Sequence, residues 1–323
     1  MHITHSCLGL DISKLSLDCA LLLRGKFKYR RFSNSKEGYE QLFAWLKKMG
    51  ATEVHVCCEA TGVYWEGVAL ALVEQSITIS VVNPAQIHAF AQSQLSRTKT
   101  DRQDAQLIAQ FCAERVPPAW TPPPPEERAL LAMVRDLQVL KDLRIAESNR
   151  LETAHDSVKA RIERHLEFLD AEIKALLQTM RDHIDRNDSL KRRRDLLESI
   201  PAIGEKTIPW LLSYLSDGQR FDKTKQAVAF AGLNPRHHQS GTSVQGKSRI
   251  SKIGQADLRG ALYMPAMVAY SKSAFFRPFV DRLKAAGKPA KLIIVALMRK
   301  LLTLAQAILK SGQPFNPHYA TNA

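Results

Sequence analysis

Six prolines stand between Val116 and Pro125, the last four consecutive. Proline lacks a backbone N–H and fixes φ, so neither a helix nor a central strand passes through this stretch, and the chain is extended there. What folds before it must bury its own core, and what folds after it must do the same. The 323 residues are long enough for two or three such cores. The expected division is an amino-terminal domain over residues 1–125, a helical arm over 126–194 and a basic carboxy-terminal domain over 195–323.

Before the prolines the pattern is that of a sheet with helices. Cys7–Ile12, Leu15–Leu23 and Phe27–Phe32 are apolar or alternating runs, split by Asp11–Lys14 and by Arg24-Gly25, and read as a three-stranded meander. Helix-period residues follow over Glu37–Met49. Val54–Cys58 is a short buried strand, Val63–Gln75 a helix, Ile77–Val82 a strand, and Pro84–Gln94 a helix opened by proline. The predicted order is βββαβαβα, an α/β arrangement of ribonuclease-H-like type. A dinucleotide fold is excluded because no GxGxxG follows the first strand.

Four carboxylates in this half stand where chemistry is done. Asp11 lies within the first apolar strand, and an unpaired buried carboxylate there would cost several kcal/mol, so it calls for a cation. Glu59 ends the fourth strand, at the edge where α/β sheets bind ligands. Asp101 and Asp104, three apart, share one face of a helix that starts near Thr100. Oxygen donors from separate elements make a hard-cation site, and Mg²⁺ or Mn²⁺ is the expected occupant. Singly, each has a plainer reading: Asp101 as a helix cap, Glu59 as a turn residue, Asp11 as partner to a lysine.

After the prolines the chain changes character. Residues 126–200 contain neither Gly nor Pro. Val158, Ile162, Leu166, Leu169, Ile173, Leu176 and Met180 recur at steps of three and four, a coiled-coil or helical-hairpin seam. An internal bundle would use it as core; charged flanks favour a dimerisation arm. From Pro201 onward there are 18 basic and 5 acidic residues, so +13 of the net +14 lies in this last part. Such a field suits a polyanion, nucleic acid first among them.

Two segments of the basic region have phosphate-binding form. Leu197–Thr207 resembles a helix-hairpin-helix, whose second glycine position is here Ala202; Gly204 and Lys206 are its candidate contacts. Asn234–Gly254 is a Gly/Ser-rich loop in which hydroxyls alternate with Arg236, Lys247, Arg249 and Lys252. Serine needs a base, a metal or close positioning to act as a nucleophile, and spacing alone selects none of these serines. His237 and His238 take no assigned role. Pro265, Met267 and the aromatics from Tyr270 to Phe279 are expected to pack a helical core.

The order Asp, Glu, Asp-x-x-Asp resembles that of Holliday-junction resolvases. More closely, Gly-Leu-Asp-Ile-Ser, Glu-Ala-Thr-Gly-Val-Tyr, Asn-Pro-Ala and Thr-Lys-Thr-Asp-Arg-Gln-Asp-Ala resemble the DEDD insertion-sequence transposases, along nearly the whole chain. The resemblance implies a DNA transposase in which Asp11, Glu59, Asp101 and Asp104 hold divalent metal. It implies that Ser240 is the nucleophile, with Ser243 the second choice, forming a transient phosphoserine link to DNA. It also implies donor and target DNA as substrates, a noncoding bridge RNA as guide, and a homodimer or homotetramer. The rival readings are a hydrolytic, metal-dependent, structure-selective nuclease using the same carboxylates, and a non-catalytic nucleic-acid scaffold.

Cys7, Cys19, Cys57, Cys58 and Cys112 lack zinc-type or CxxC spacing and read as buried free thiols in a reducing cytoplasm; the resemblance implies a bacterial cytoplasm, with the protein on the nucleoid when acting. No amino-terminal leader pattern and no uninterrupted apolar run of about 18 residues is present, so no membrane association is expected.

Overall fold

The computed structural model describes residues 6–51, 53–94, 100–236, 239–240, 244–245 and 249–317, and of residues 239, 240, 244 and 245 the backbone alone. The chain divides into two compact units, Met1–Pro122 and Pro123–Ala323. The division falls inside the proline run, where the absence of amide donors prevents either core from extending through.

The first unit is a five-stranded mixed sheet with helices on both faces. Its elements are β1 (Ser6–Ile12), β2 (Ser16–Leu23), β3 (Lys26–Ser33), α1 (Lys36–Lys48), β4 (Val54–Glu59), α2 (Glu66–Glu74), β5 (Ile79–Val82), α3 (Pro84–Ser93) and α4 (Asp101–Arg115). The strands lie in the order β3-β2-β1-β4-β5. The β1–β2 and β2–β3 pairs are antiparallel, whereas β1–β4 and β4–β5 are parallel. The βββαβαβα order read from the sequence is the order observed. The second helix begins three residues later than expected: Val63 and Tyr64 are exposed in a turn after Gly62, whose φ is +63°.

Strand alternation splits the sheet into two faces. One carries Leu8, Leu10, Leu17, Cys19 and Leu21 onto α1 and α2, where Leu42, Trp45, Val68 and Leu72 complete a core. The other carries Cys7 and Cys57 toward α3 and α4, against Ile87, Phe90, Ile108 and Cys112. All five cysteines are buried and none is in a disulfide, the state expected of them.

The second unit is mostly helical. Helices α5 (Pro125–Glu152) and α6 (Asp156–Asp185) form an antiparallel hairpin, tied by His183 to the Glu126 carbonyl at 2.9 Å near one end and by Arg144 to Asp170 further along. Ile162, Leu169 and Met180 of the heptad seam are buried, and only Val158 of that set is exposed. The seam is thus used inside the chain, against α5, because the turn at residues 153–155 folds one half of the glycine-free stretch back on the other.

Helices α7 (Asp188–Glu198), α8 (Ile208–Leu215), α9 (Thr224–Phe230), α10 (Ala256–Ala261), α11 (Tyr263–Ser271), α12 (Arg277–Ala285) and α13 (Ala290–Ser311) share one core with the base of the hairpin. Arg193 of α7 closes onto Glu127 of α5 at 2.6 Å, both buried. Helix α13 is long and apolar enough to cross a membrane, yet Leu297, Leu301, Leu302 and Ala305 are fully buried at the centre of this core. Met267, Tyr270, Phe275 and Phe279 pack against the same core, which includes the fully buried Phe276, as expected of that segment.

Candidate active site

Asp11 is one step past the Leu10–Cys58 register of β1 and β4, which puts it beside Glu59 on the face that meets α4. Its antiparallel partner on the other side is Asp18 of β2, and the partner of Asp18 on β3 is Arg31. Register alone therefore lines up Glu59, Asp11, Asp18 and Arg31 across four strands. Like charges directly opposed on a sheet are destabilising unless a cation intervenes.

Helix α4 delivers the other two carboxylates. Thr100 is its cap, the side-chain oxygen accepting from the Gln103 amide at 3.2 Å, so Asp101 is not the cap but a first-turn residue with Asp104. Acidic side chains suit that position, where the helix dipole is positive. The helix lies directly on β1 because Gly9 has no side chain: a Cβ there would stand 2.1 Å from the Ala105 carbonyl oxygen. This close approach puts the first turn of α4 at the end of β1 that carries Asp11.

Asp11, Glu59, Asp101 and Asp104 line one cleft of about 880 Å³, together with His88 of α3 and Gln110 of α4. Burial pushes the Asp11 carboxyl up to about 6, and the negative charges of Asp104, Asp101, Glu59 and Asp18 add to that shift. Glu59 accepts a hydrogen bond from the Thr61 hydroxyl at 2.7 Å. Among the described residues no three His, Cys, Asp or Glu side chains stand close enough to hold one ion between them. Asp101 is engaged instead with Arg31, whose Nη2 donates to its Oδ2 at 2.6 Å. The donor set, all carboxylate oxygens around an Asp11 whose ionised form burial and like charges disfavour, fits a hard divalent cation.

The sequence reading missed Asp18, Tyr29 and Arg31. Asp18 is buried, accepts from the Tyr29 hydroxyl and pairs with Arg31, which raises the guanidinium further above its ordinary value. A buried-side aspartate in an otherwise apolar strand, facing Asp11 by meander pairing, was the signal that could have found them. His88 carries no such signal, since nothing in a proline-opened helix distinguishes it.

In the second unit, the expected loop around Ser240 contains two short antiparallel ladders. Pro235–Arg236 pairs with Arg249–Ile250, and Gln239–Ser240 with Val244–Gln245. Backbone hydrogen bonds thus replace the loop form expected from its Gly and Ser content. Arg236, Arg249 and Lys252 are exposed on or beside the outer ladder. His237, His238, Ser243 and Lys247 lie outside the described residues.

The turn between α7 and α8 holds Ala202 at φ +73°, a left-handed value, while Gly204 and Lys206 are exposed. Lys141 of α5 is held below its ordinary value by burial and by the charge of Lys206. Two ammonium groups thus sense one another beside this turn.

Comparison with known proteins agrees along both units. Residues 8–158 match the DEDD, IS110-type "Transposase" family model, and residues 194–281 match the "Transposase IS116/IS110/IS902 family". The pilin gene-inverting protein of Moraxella bovis is 37% identical over 312 residues, covering 96% of this chain and 97% of that protein. The transposase for insertion sequence element IS1328 of Yersinia enterocolitica is 26% identical over 194 residues, 58% of this chain and 55% of that protein. Among solved structures, T. thermophilus RuvC in complex with a Holliday junction substrate aligns at 15% identity and a TM-score of 0.27, covering 36% of this chain and 98% of that one. The chain belongs to the IS110 family of DEDD transposases.

Proposed function

We propose that this transposase cuts and rejoins DNA with two sets of groups, the carboxylates of the first unit and Ser240 of the second. The observation that carries the reading is the convergence of Asp11, Glu59, Asp101 and Asp104 on one cleft, at the end of a sheet whose meander and parallel strands follow a ribonuclease-H-like order. Those four side chains would hold Mg²⁺ or Mn²⁺, which when bound polarises a phosphodiester and stabilises the oxygen leaving phosphorus. Ser240 is the nucleophile: its hydroxyl oxygen bonds to phosphorus as a DNA oxygen departs, the serine proton passing to that leaving oxygen, and reversal of the exchange on a second strand rejoins the ends. The support for Ser240 is the family pattern around Gln239-Ser240-Gly241.

Arg236, Lys247, Arg249, Lys252, Gly204 and Lys206 are assigned to nucleic-acid phosphates, in keeping with the +13 field of this region. Donor and target DNA are its substrates, and a noncoding bridge RNA that pairs with both is the proposed guide, leaving base reading to the RNA. A homodimer or homotetramer is the proposed assembly.

The experiment is a detergent-quenched reaction of the purified full chain with Mg²⁺, flanking RNA and labelled donor and target DNA. A protein–DNA adduct that disappears in Ser240→Ala establishes the serine mechanism. Cleavage without an adduct, surviving Ser240→Ala and abolished by Asp11→Asn, replaces it with carboxylate-dependent hydrolysis.

A further inference from the structure

Asp101, a carboxylate of the cleft, is held by a cation of the protein's own. Arg31 donates from Nη2 to Asp101 Oδ2 at 2.6 Å. The same guanidinium is pinned along its other edge, where Nε lies 3.0 Å from each Asp18 oxygen and Nη2 lies 2.9 Å from Oδ2. Two carboxylates share one guanidinium, and their exposures decide which of them can let go.

The Asp18 side chain is 3% exposed, so separating it from Arg31 would leave a charge stranded in the sheet, a costly change. The Asp101 side chain is 63% exposed and would lose only a solvent-facing ion pair, which is worth little. Arg31 is therefore the fixed element and Asp101 the movable one. The next residue of α4 repeats the contact with β3, the Arg102 guanidinium standing 5.3 Å from the centre of the Tyr29 ring. The first turn of α4 is thus tied to β3 through side chains that play no part in the core.

We propose that Arg31 is a positioning residue of the carboxylate cluster: anchored by Asp18, it holds Asp101 beside the cleft in the ion-free protein and yields it when a divalent cation binds. The inference rests on the reading of the four carboxylates as metal ligands. It accounts for the fact that those side chains line one cleft and yet, as they stand, do not close around an ion-sized space. It also gives Arg31 a role distinct from simple charge neutralisation, because ion and guanidinium compete for the same oxygens.

The test is Mn²⁺ titration of the full chain by calorimetry, without nucleic acid, for the wild type, Asp11→Asn, and the pair variant Asp18→Asn with Arg31→Gln. The pair variant removes one charge of each sign, so the net field at the cleft is preserved while the grip on Asp101 is lost. Its expected Kd is roughly twofold to fivefold lower than that of the wild type, the weight of one exposed ion pair. The ¹⁵N resonance of Arg31 Nε in the wild type, identified by its absence in Arg31→Lys, is expected to shift on Mg²⁺ addition and to saturate with the ion. Should the pair variant fail to fold, that resonance decides alone. An unchanged or weaker Kd in a folded pair variant, or an Nε signal indifferent to the ion, overturns the assignment of Arg31. Binding that survives Asp11→Asn overturns the metal-ligand reading itself, and the inference with it.

Discussion

Gly9 of β1 and Ala105 of α4 meet backbone to backbone: a methyl group on Gly9 would stand 2.1 Å from the Ala105 carbonyl oxygen and 2.4 Å from the Ala109 amide nitrogen. Neither neighbour is the far end of a flexible side chain, so the helix itself would have to lift. Gly9→Ala is expected to cost about 1–3 kcal/mol by overpacking, and to move Asp101 and Asp104 away from Asp11. Chemical denaturation reads the first effect and DNA cleavage the second. A Gly9→Ala protein with wild-type stability and activity would show that the position of α4 is not set by this contact.

Asp11 links the site to pH. The folded protein holds the Asp11 proton more tightly than the unfolded chain, its carboxyl standing at about 6 against an ordinary value of about 3.9. Its contribution to stability is therefore full below about pH 4 and is lost as the pH rises through about 6. In ion-free protein at pH 7.5, Asp11→Asn should be the more stable form, by on the order of 1 kcal/mol once solvent screening of this half-buried group is allowed for. Near pH 4 the two melting curves should converge. A gap that is constant across that range would mean that neither burial nor the neighbouring carboxylates perturb this carboxyl. The same substitution abolishes cleavage if Asp11 is a ligand.

Ala202 offers a test of the hairpin between α7 and α8. An L-residue in the left-handed region is strained by roughly 1–2 kcal/mol, and glycine is not. Against this, glycine adds about 0.4–1 kcal/mol of unfolded-chain entropy. Ala202→Gly is expected to raise stability by several tenths of a kcal/mol to about 1 kcal/mol, without loss of DNA binding. A lowered melting temperature would argue that the alanine methyl group is needed for packing.

Lys206 is exposed in the turn between α7 and α8, and Arg249 on the outer ladder of the basic unit. If each neutralises one phosphate of duplex DNA, replacing either by Gln lowers the slope of log affinity against log salt by about 0.9. Filter binding at a series of salt concentrations measures that slope. An unaltered slope removes the substituted residue from the interface.

Much of this protein is legible in the chain itself. Alternation in Leu15–Leu23, helix period in Glu37–Met49 and proline opening a helix at Pro84 are local signals, and each names its element because side-chain direction repeats with a fixed period in each kind of backbone. Asp11, Glu59, Asp101 and Asp104 were visible for the same reason: a carboxylate within an apolar strand, one at a strand end and two at a helix start are exceptions to a regular pattern. The family pattern alone pointed to Ser240, because nothing local separates it from the other serines between Asn234 and Gly254.

Tertiary structure decided what local period cannot encode. Arg31 and Asp101 are 70 positions apart, and only the β2–β3 register together with the seating of α4 on Gly9 brings them within 2.6 Å. The heptad seam of α6 was plain in the sequence, but its partner was not: a stripe of apolar residues states that something must cover it, and the turn at residues 153–155 determined that α5 of the same chain does. Sequence fixes which faces must be buried, since that follows from residue type and period. The choice of partner depends on how strands pair and helices fold back, which is settled only when the whole chain competes for the same buried volume.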